Sequence, residues 1–454
     1  MNMTIDHQRR KFLLSASAIG AATTLPGLGV MNAAAQTAAD YKALVCVFLY
    51  GGNDCNNTII PVQSAEYAQY AQPRPGLAIP QGNLAPLNQA GVVRFGLHPN
   101  LAPLQAIWDA GKMGVAFNVG PLVRPVTRAQ YRADRTTRPM NLFSHDDQQN
   151  SWQTAIADQD AKTGWGGRLS EKLTPLNATA GVPLALSLTG NDVFLTSSTS
   201  NGFALPANGT FGLQGFGAGQ AEQAKYAAVQ ALWNNAQVGS HRIMKATGEQ
   251  MNRSVTGSQT LSTIANTANA TIQAAFANAN SGLAQQLNRA ARIIAGRTQL
   301  GVKRQMFFVS MGGYDTHENQ LQNQANRFTE LGTSLRAFYD AMVQLGISDS
   351  VTTFTFSDFG RTLRQNGAGT DHAWGGHHFM LGGTVKGGQT YGSFPTLALG
   401  GPDDTDNDGR WIPTTAVDQF GATLAQWFGV APADLAQIFP NLARFPQANL
   451  GFMA

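Results

Sequence analysis

The chain has 454 residues, with 31 Lys or Arg against 27 Asp or Glu, so its formal net charge is +4. Asp6, Arg9, Arg10 and Lys11 together contribute +2, which leaves +2 for the rest of the chain. So small a charge, without any run of basic residues, argues against a protein that binds nucleic acid through electrostatics. The length suits one large domain or two ordinary ones.

The first 35 residues have the pattern of a signal peptide. Arg9 and Arg10 precede a moderately apolar stretch, residues 14–30, and a small-residue cleavage site that ends at Ala35. Adjacent arginines are typical of the twin-arginine export route, whereas the alternative is a buried N-terminal helix. The stretch is shorter than the ~20 apolar residues of a membrane span, so no stable span is expected. We therefore predict that the mature chain, about residues 36–454, is periplasmic or secreted.

Continuous apolar runs of strand length recur along the mature chain. They occupy residues 43–50, 113–119, 183–188, 306–311, 351–356 and 378–381. Runs that are apolar throughout are typical of parallel strands buried on both faces. Because helical stretches separate them, we predict an α/β fold, a three-layer α/β/α sandwich with a mostly parallel sheet. Residues 219–298, rich in Ala, Asn and Gln, predict a helical insertion within one domain of residues 36–454.

An acidic residue closely follows three of these runs. Asp54, Asp315 and Asp358 all come just after the last apolar residues of a predicted strand. In open α/β sheets, functional sites form beyond the carboxyl ends of the strands. Three carboxylates that meet there repel one another unless a cation joins them. Taken singly, each aspartate is also explained as a helix N-cap.

Histidines accompany these aspartates. His317 follows Asp315 by two residues, and His372 directly follows Asp371, with a histidine pair at 377 and 378. Carboxylate and imidazole together are a ligand set for divalent transition metals. We therefore predict one or two divalent ions, Zn²⁺, Mn²⁺ or Ca²⁺. The predicted ligands are Asp54, Asp315, His317, Asp358, Asp371, His372 and His377.

Ser144 is the candidate nucleophile. A hydroxyl at a helix start lies among free backbone N–H groups, which hold phosphate or sulfate, and a nearby metal lowers its pKa. The alternative is that Ser144 is only the N-cap of the following helix, with Asp147 completing an arrangement like a capping box. The role of His145 stays open between metal ligand, phosphate partner and surface residue. Cys55 and Thr58 are rival nucleophiles near Asp54.

Six segments together resemble a bacterial family, the domain-of-unknown-function 1501 family, whose members often begin with twin-arginine signals. The segments are FLYGGNDCNNTIIPV, LFSHDDQQNSWQT, GWGGRL, FFVSMGGYDTHENQ, TFSDFGRTLRQNGAGTDHAWGGHH and GRWIPT. The resemblance covers nearly the whole mature chain. The family looks like a remote branch of the alkaline phosphatase and sulfatase superfamily, which implies an alkaline phosphatase-like fold.

The superfamily resemblance also implies an order of site residues along the chain. A metal-binding Asp comes first, then a nucleophile at a helix start, an Asp and His pair, an Asp-His dipeptide and a last His. The residues that fall in this order are Asp54, Ser144, Asp315 with His317, Asp358, and His372. Two departures are the Asp358-Phe359 dipeptide and the tight spacing of Asp315 and His317. They imply that one metal site is lost, or rebuilt with Asp371, His377 or His378.

These patterns predict an exported, metal-dependent hydrolase of phosphate or sulfate esters. Ser144 would attack the ester, and Arg361 would hold the oxyanion. The alternative is a non-catalytic exported protein that binds a polysaccharide or a partner protein on a degenerate phosphatase or sulfatase fold, and Phe359 favours it. The sequence identifies neither the substrate nor the oligomeric state.

The segment Asp404-x-Asp406-x-Asp408-Gly409 resembles the start of a calcium-binding loop. The twelfth position is Thr415 instead of the bidentate Glu that such loops require. A polar surface loop is therefore the preferred interpretation.

Overall fold

The computed structural model describes residues 41–178, 180–199, 202–212, 219–238 and 242–454. The predicted signal peptide, residues 1–35, lies outside the described residues. Within these ranges, no helix has both the length and the apolar character needed to cross a membrane.

The strands and α-helices alternate along most of the chain. The strands are β1 (Lys42–Leu49), β2 (Ile59–Pro61), β3 (Ala85–Gln89), β4 (Val92–Leu97), β5 (Met113–Gly120), β6 (Ala185–Ser187), β7 (Phe203–Ala204), β8 (Arg304–Met311), β9 (Val351–Ser357), β10 (Gly376–Gly382), β11 (Gln389–Tyr391) and β12 (Thr415–Ala416). The α-helices are α1 (Ser64–Ala71), α2 (Gln105–Asp109), α3 (Arg128–Ala133), α4 (His145–Thr154), α5 (Trp165–Leu173), α6 (Gln220–Val238), α7 (Arg242–Asn266), α8 (Ala270–Ala275), α9 (Gly282–Ala295), α10 (Arg297–Leu300), α11 (Gln320–Gln344), α12 (Val417–Phe428) and α13 (Leu435–Ile438).

In the described part of the chain, nine strands form one sheet in the order β11-β5-β10-β9-β1-β8-β6-β7, with β12 also paired to β5. The central strand β1 pairs in parallel with both β8 and β9. Strand β10 runs antiparallel to its neighbours β5 and β9. The mostly parallel sheet confirms the predicted α/β class. Strands β2, β4 and β3 form a small separate sheet.

Helices cover both faces of the large sheet. Alternate side chains of β1 enter two different cores, with Val45 and Val47 on one side and Cys46 and Phe48 on the other. Helices α9 and α11 pack over the first face, and α4, α5 and α12 over the second. Because both faces are covered, the strands are apolar throughout, as the sequence indicates. The predicted α/β/α layering is confirmed.

Among the described residues, five helices, α6 to α10, lie between Gln220 and Leu300, and α6 and α7 are the longest of them. Helix α9 buries Leu283, Leu287 and Ile294 in the same core as Val45 of β1. This helix therefore belongs to the layer that covers the sheet.

Strands β1, β8 and β9 are parallel, so their carboxyl ends lie together along one edge of the sheet. Leu49, the last residue of β1, is in register with Met311 of β8 and with Ser357 of β9. Strand β10 runs the opposite way, so the chain that leads into it, including His372, lies at this same edge. Strand β5 also ends here, and the chain then leads to α4. The residues predicted to carry chemistry are therefore brought to one end of the fold.

Candidate metal centre

Four side chains converge at this edge. The ligand atoms of His145, Asp315 and His372 all lie within 4.8 Å of one another. The Nε2 atoms of His145 and His372 lie 3.5 Å and 3.3 Å from the two different oxygens of Asp315. His317 Nε2 lies 2.9 Å from an Asp315 oxygen and 3.1 Å from His372 Nε2. These four residues are called the ligand cluster below.

Hydrogen bonds outside the cluster orient two of its imidazoles. His145 Nδ1 lies 2.7 Å from Asp358 Oδ2, and His372 Nδ1 lies 2.9 Å from the carbonyl oxygen of Phe143. Because carboxylate and carbonyl oxygens only accept hydrogen bonds, each Nδ1 carries a proton, and in the neutral ring each Nε2 has a free lone pair. His145 Nε2 is buried and has no hydrogen-bond partner. Two lone pairs and the Asp315 carboxylate therefore face one another, an arrangement that calls for a cation or a proton between them.

The pKa values of the two oriented histidines are shifted in opposite directions. The hydrogen bond to Asp358 raises the pKa of His145 above its usual value, and the Asp315 charge adds to this effect. Burial lowers the pKa of His372. A proton on His145 is thus the competitor of a metal ion at the cluster.

Three members of the cluster, His145, Asp315 and His372, are spaced as ligands of a tetrahedral metal ion are. Zn²⁺ with ligands at ~2.0–2.1 Å needs ligand atoms ~3.3 Å apart. The Asp315 oxygens lie 3.3 Å from His372 Nε2 and 3.5 Å from His145 Nε2, which is close to that value. Imidazole and carboxylate suit Zn²⁺ or Mn²⁺, and a carboxylate behind a histidine is a common way of orienting a metal ligand. The residues present therefore fit a divalent transition metal.

Asp358 is fully buried behind His145. Its Oδ2 atom accepts hydrogen bonds from the Gly51 backbone N–H at 3.1 Å and from Gln149 Nε2 at 2.9 Å, besides that from His145. The other oxygen, Oδ1, has no hydrogen-bond partner. The sequence predicts that Asp358 binds the metal directly. In the structure its Oδ2 atom accepts a hydrogen bond from His145 and so orients that imidazole.

Asp54 lies in a buried ion pair with Arg74, and both side chains are fully inaccessible. The two Asp54 oxygens lie 2.5 Å and 3.0 Å from Nη1 and Nη2 of the guanidinium. Gln320 Nε2, the Asn56 backbone N–H and the Asn56 side-chain amide donate three further hydrogen bonds to the carboxylate. A guanidinium therefore neutralises Asp54, and the structure does not bring this residue into the ligand cluster.

Arg361 is also fully buried. Its Nη1 donates to Asp315 at 3.1 Å and to the Gly51 carbonyl at 3.0 Å. Its Nε and Nη2 donate to Thr370, and Nη2 also lies 3.3 Å from His317 Nε2. Burial opposes ionisation of Asp315, but Arg361 and the neighbouring histidines lower the pKa of this carboxyl. All N–H groups of Arg361 point at the protein, so it positions Asp315 and His317.

Two further predicted ligands lie in different surroundings. Asp371 is at the rim of the cluster, with one oxygen 3.7 Å from His317 Nδ1 and a hydrogen bond from Asn366. His377 is buried beside Phe117, and its Nδ1 accepts the Asn118 backbone N–H at 3.1 Å. Burial lowers the pKa of His377 to about 4. The structure thus brings Asp371 near the cluster and leaves His377 in the core.

Ser144 is the N-cap residue of α4 and directly precedes His145. Its hydroxyl donates to the Asp147 carboxylate at 2.6 Å and does not cap the helix backbone. Asn141 donates to the same carboxylate at 3.0 Å. The predicted nucleophile is therefore at a helix start and is paired with a carboxylate that can accept its proton.

Phe359 packs against two imidazoles of the cluster. Its ring centroid is 4.8 Å from that of His145 and 4.7 Å from that of His372. Gly52 makes room for the ring, because a Cβ at this position would lie 2.3 Å from a Phe359 carbon. The Phe359 ring therefore forms an apolar wall of the cluster and restricts the positions of the His145 and His372 rings.

An open pocket of about 290 Å³ borders the cluster and is lined by Phe143, His317, Asp371, His372 and Arg410. Phe143 has a φ of +79°, and such backbone strain is concentrated at functional sites. Sequence patterns alone give Phe143 and Arg410 no role. Their only signal in the sequence is their position in the segments LFSHDDQQNSWQT and GRWIPT.

The family profile described as "Protein of unknown function (DUF1501)" matches residues 41–408. The chain belongs to the DUF1501 family. The resemblance found in the sequence is thereby confirmed. No curated protein matches the chain.

Several solved structures are similar to this DUF1501 chain. The lipoteichoic acid synthase LtaP from Listeria monocytogenes is 9% identical with a TM-score of 0.32, over 88% of this chain and 79% of that chain. A protein in the alkaline phosphatase superfamily from Vibrio parahaemolyticus is 12% identical with a TM-score of 0.31, over 94% and 76%. Ps i-CgsB in complex with k-i-k-neocarrahexaose is 12% identical with a TM-score of 0.31, over 89% and 76%. Because these identities and TM-scores are low, the fold is assigned from the strand order and pairing described above.

Proposed function

We propose that this DUF1501 protein is an exported, metal-dependent hydrolase of phosphate or sulfate esters. The observation that carries the proposal is the convergence of the His145 and His372 lone pairs on Asp315, beside an open pocket. When bound, a divalent ion would polarise the ester and lower the pKa of a nearby hydroxyl or water.

The residues of the chain have distinct roles in this proposal. His145, Asp315 and His372 bind the ion and leave its fourth position open for the ester or water, while His317, which contacts Arg361, lies beside the ion. Asp358 and the Phe143 carbonyl keep the two imidazoles in the tautomer that presents Nε2. Arg361 and Phe359 hold the ligands in place.

Ser144 is the proposed nucleophile and Asp147 the base that takes its proton. The Ser144 oxygen forms a bond to phosphorus or sulfur while the bond to the leaving alcohol oxygen breaks. The leaving oxygen takes a proton from solvent. Water then cleaves the seryl ester and Ser144 regains its proton, so that each turnover consumes water and releases an alcohol and an inorganic anion.

A panel of aryl and alkyl phosphate and sulfate esters tests this function, with mature protein that has been loaded with Zn²⁺ or Mn²⁺. Turnover should depend on metal and should fall on the order of 10³-fold or more in Ser144→Ala. Ser151→Ala is the matched control, because this serine lies on the same helix and donates only to a backbone carbonyl. If metal-dependent turnover persists in Ser144→Ala, water and not Ser144 is the nucleophile, and the protein is still a hydrolase. A metal-loaded protein that cleaves no ester in the panel contradicts the proposal.

A second candidate function is non-catalytic binding of a polysaccharide or partner protein outside the cytoplasm. One observation favours it: the carboxylate of Asp54, a predicted metal ligand, is fully paired with Arg74. Retention of the protein on a polysaccharide matrix, with no turnover on the ester panel, would select this candidate.

Export is proposed from Arg9 and Arg10, which lie outside the described residues. Residues 1–35 fused to a folded reporter should direct it to the periplasm. Replacing both arginines by lysine should keep the reporter in the cytoplasm. A reporter that is exported equally well with both lysines would count against the twin-arginine route.

A further inference from the structure

Arg410 lies against the open pocket and has no role in the scheme above. Its Nε donates to the His372 carbonyl at 2.9 Å. Its Nη1 donates to Asp408 at 3.1 Å and also to Asp406. The third nitrogen, Nη2, makes no hydrogen bond to any described residue. The Nε and Nη1 atoms are thus held by the protein, and the N–H groups of Nη2 are available for a ligand.

The Arg410 side chain is held in a single orientation. Its guanidinium carbon lies 5.5 Å from the centroid of the Phe143 ring, and the side chain is 18% exposed. The ring contact and the hydrogen bonds restrict the guanidinium plane before any ligand arrives. A preorganised guanidinium loses little side-chain entropy when it binds an anion.

Two other arginines near the site lack these properties. Arg361 is fully buried and all its N–H groups are used by the protein. Arg364 pairs with Asp408 as Arg410 does, but its side chain is 51% exposed and does not line the pocket. Of these three arginines, Arg410 alone combines a position on the pocket with an unused donor.

We propose that Arg410, and not Arg361, binds the anionic oxygens of the substrate through Nη2. This inference rests on the proposed function for the identity of the ligand, a phosphate or sulfate ester. A guanidinium donor matches the oxygens of such groups in geometry and charge. Because Asp371 lines the same pocket and Asp406 and Asp408 accept hydrogen bonds from Arg410 Nη1, the anion binds more tightly when a cation also occupies the ligand cluster.

Inorganic phosphate is the probe. Its affinity is measured by calorimetry on the mature protein, both zinc-loaded and after chelation, and its inhibition constant is measured against any ester that is cleaved. Arg410→Met should weaken phosphate binding about 10–100-fold, the equivalent of one charge-assisted hydrogen bond. It should raise KM more than it lowers kcat. Arg410→Lys should give an intermediate loss, because lysine keeps the charge but not the planar fork.

Arg364→Met is the matched control, since it removes the same charge beside Asp408 without touching the pocket. It should leave phosphate affinity unchanged. Equal phosphate affinity in the wild type and in Arg410→Met, with zinc content and Tm intact, overturns the assignment, as does an equal loss in Arg364→Met. A protein without metal or esterase activity contradicts the proposed function, but phosphate binding that still depends on Arg410 would uphold this inference.

Discussion

His145 Nδ1 lies 2.7 Å from Oδ2 of Asp358, a carboxylate that is fully buried. This hydrogen bond decides which imidazole nitrogen carries the proton and directs Nε2 toward Asp315. In the proposed metal centre His145 is therefore a ligand, a role that the sequence leaves open. Asp358 would then orient that ligand, whereas the sequence predicts that Asp358 binds the metal directly.

Asp358→Asn should weaken metal binding about 10–100-fold, the usual effect of losing a carboxylate behind a histidine ligand. The reason is that the amide removes the negative charge that makes His145 a stronger donor. Competition for Zn²⁺ with a chromophoric chelator measures the change. Asp371→Asn, at the rim, is the control and should have a much smaller effect. An unchanged zinc affinity in Asp358→Asn would show that the hydrogen bond does not serve the metal.

The buried Asp54 and Arg74 pair should contribute to stability and not to metal binding. Arg74→Met leaves an uncompensated buried carboxylate and should cost about 3–5 kcal/mol of unfolding free energy. The double variant Asp54→Asn, Arg74→Met removes the stranded charge and should recover much of that loss. Denaturant unfolding measures both, and the double variant should keep the metal content of the wild type. Loss of metal in a folded double variant would make Asp54 a ligand.

Phe359→His should not create a second metal site. The new imidazole would lie against His145 and His372, where the Phe359 ring now packs. The Asp54 carboxylate that would share a second ion is already neutralised by Arg74. Metal analysis should therefore give the same content as in the wild type. A doubled metal content would show that Arg74 gives way to an ion.

Asp418 should make the stability depend on pH. Burial raises the pKa of this residue, at the start of α12, to about 8, whereas an unfolded aspartate ionises near ~3.9. Between these values the unfolded chain has released the proton and the folded chain keeps it, so stability falls as the pH rises through this window. Asp418→Asn removes the effect, and its Tm advantage should be small at pH 4 and grow up to pH 8. A Tm difference that is the same at both pH values would contradict this account.

The sheet and its functional edge could be predicted from sequence because strands buried on both faces are apolar throughout. Residues 43–50, 306–311 and 351–356 show this pattern, and the acids just after them fall at one edge. The partners of those acids could not be predicted in this way. Asp358 orients His145 across 213 residues of sequence separation, and no local pattern encodes that contact.

The arginines illustrate the same limit. Arg74 lies in the turn after α1 and pairs with Asp54, which keeps Asp54 out of the ligand cluster. No sequence motif around Arg74 indicates this contact. Arg361 follows a predicted strand and is an obvious candidate for an oxyanion, yet the fold buries it beneath Asp315. Arg410 reaches the pocket from a distant loop. Only the tertiary structure distinguishes an arginine that neutralises a buried acid from one that faces a ligand.

Elemental analysis of mature protein, exported and purified without chelators, tests the metal centre most directly. We expect about one Zn²⁺ or Mn²⁺ per chain, since the described residues offer a single set of converging ligands. Asp315→Ala should remove the ion while the protein stays folded. A wild-type protein that contains no metal, and whose Tm does not change when chelator is added, would show that the ligand cluster does not bind a metal ion.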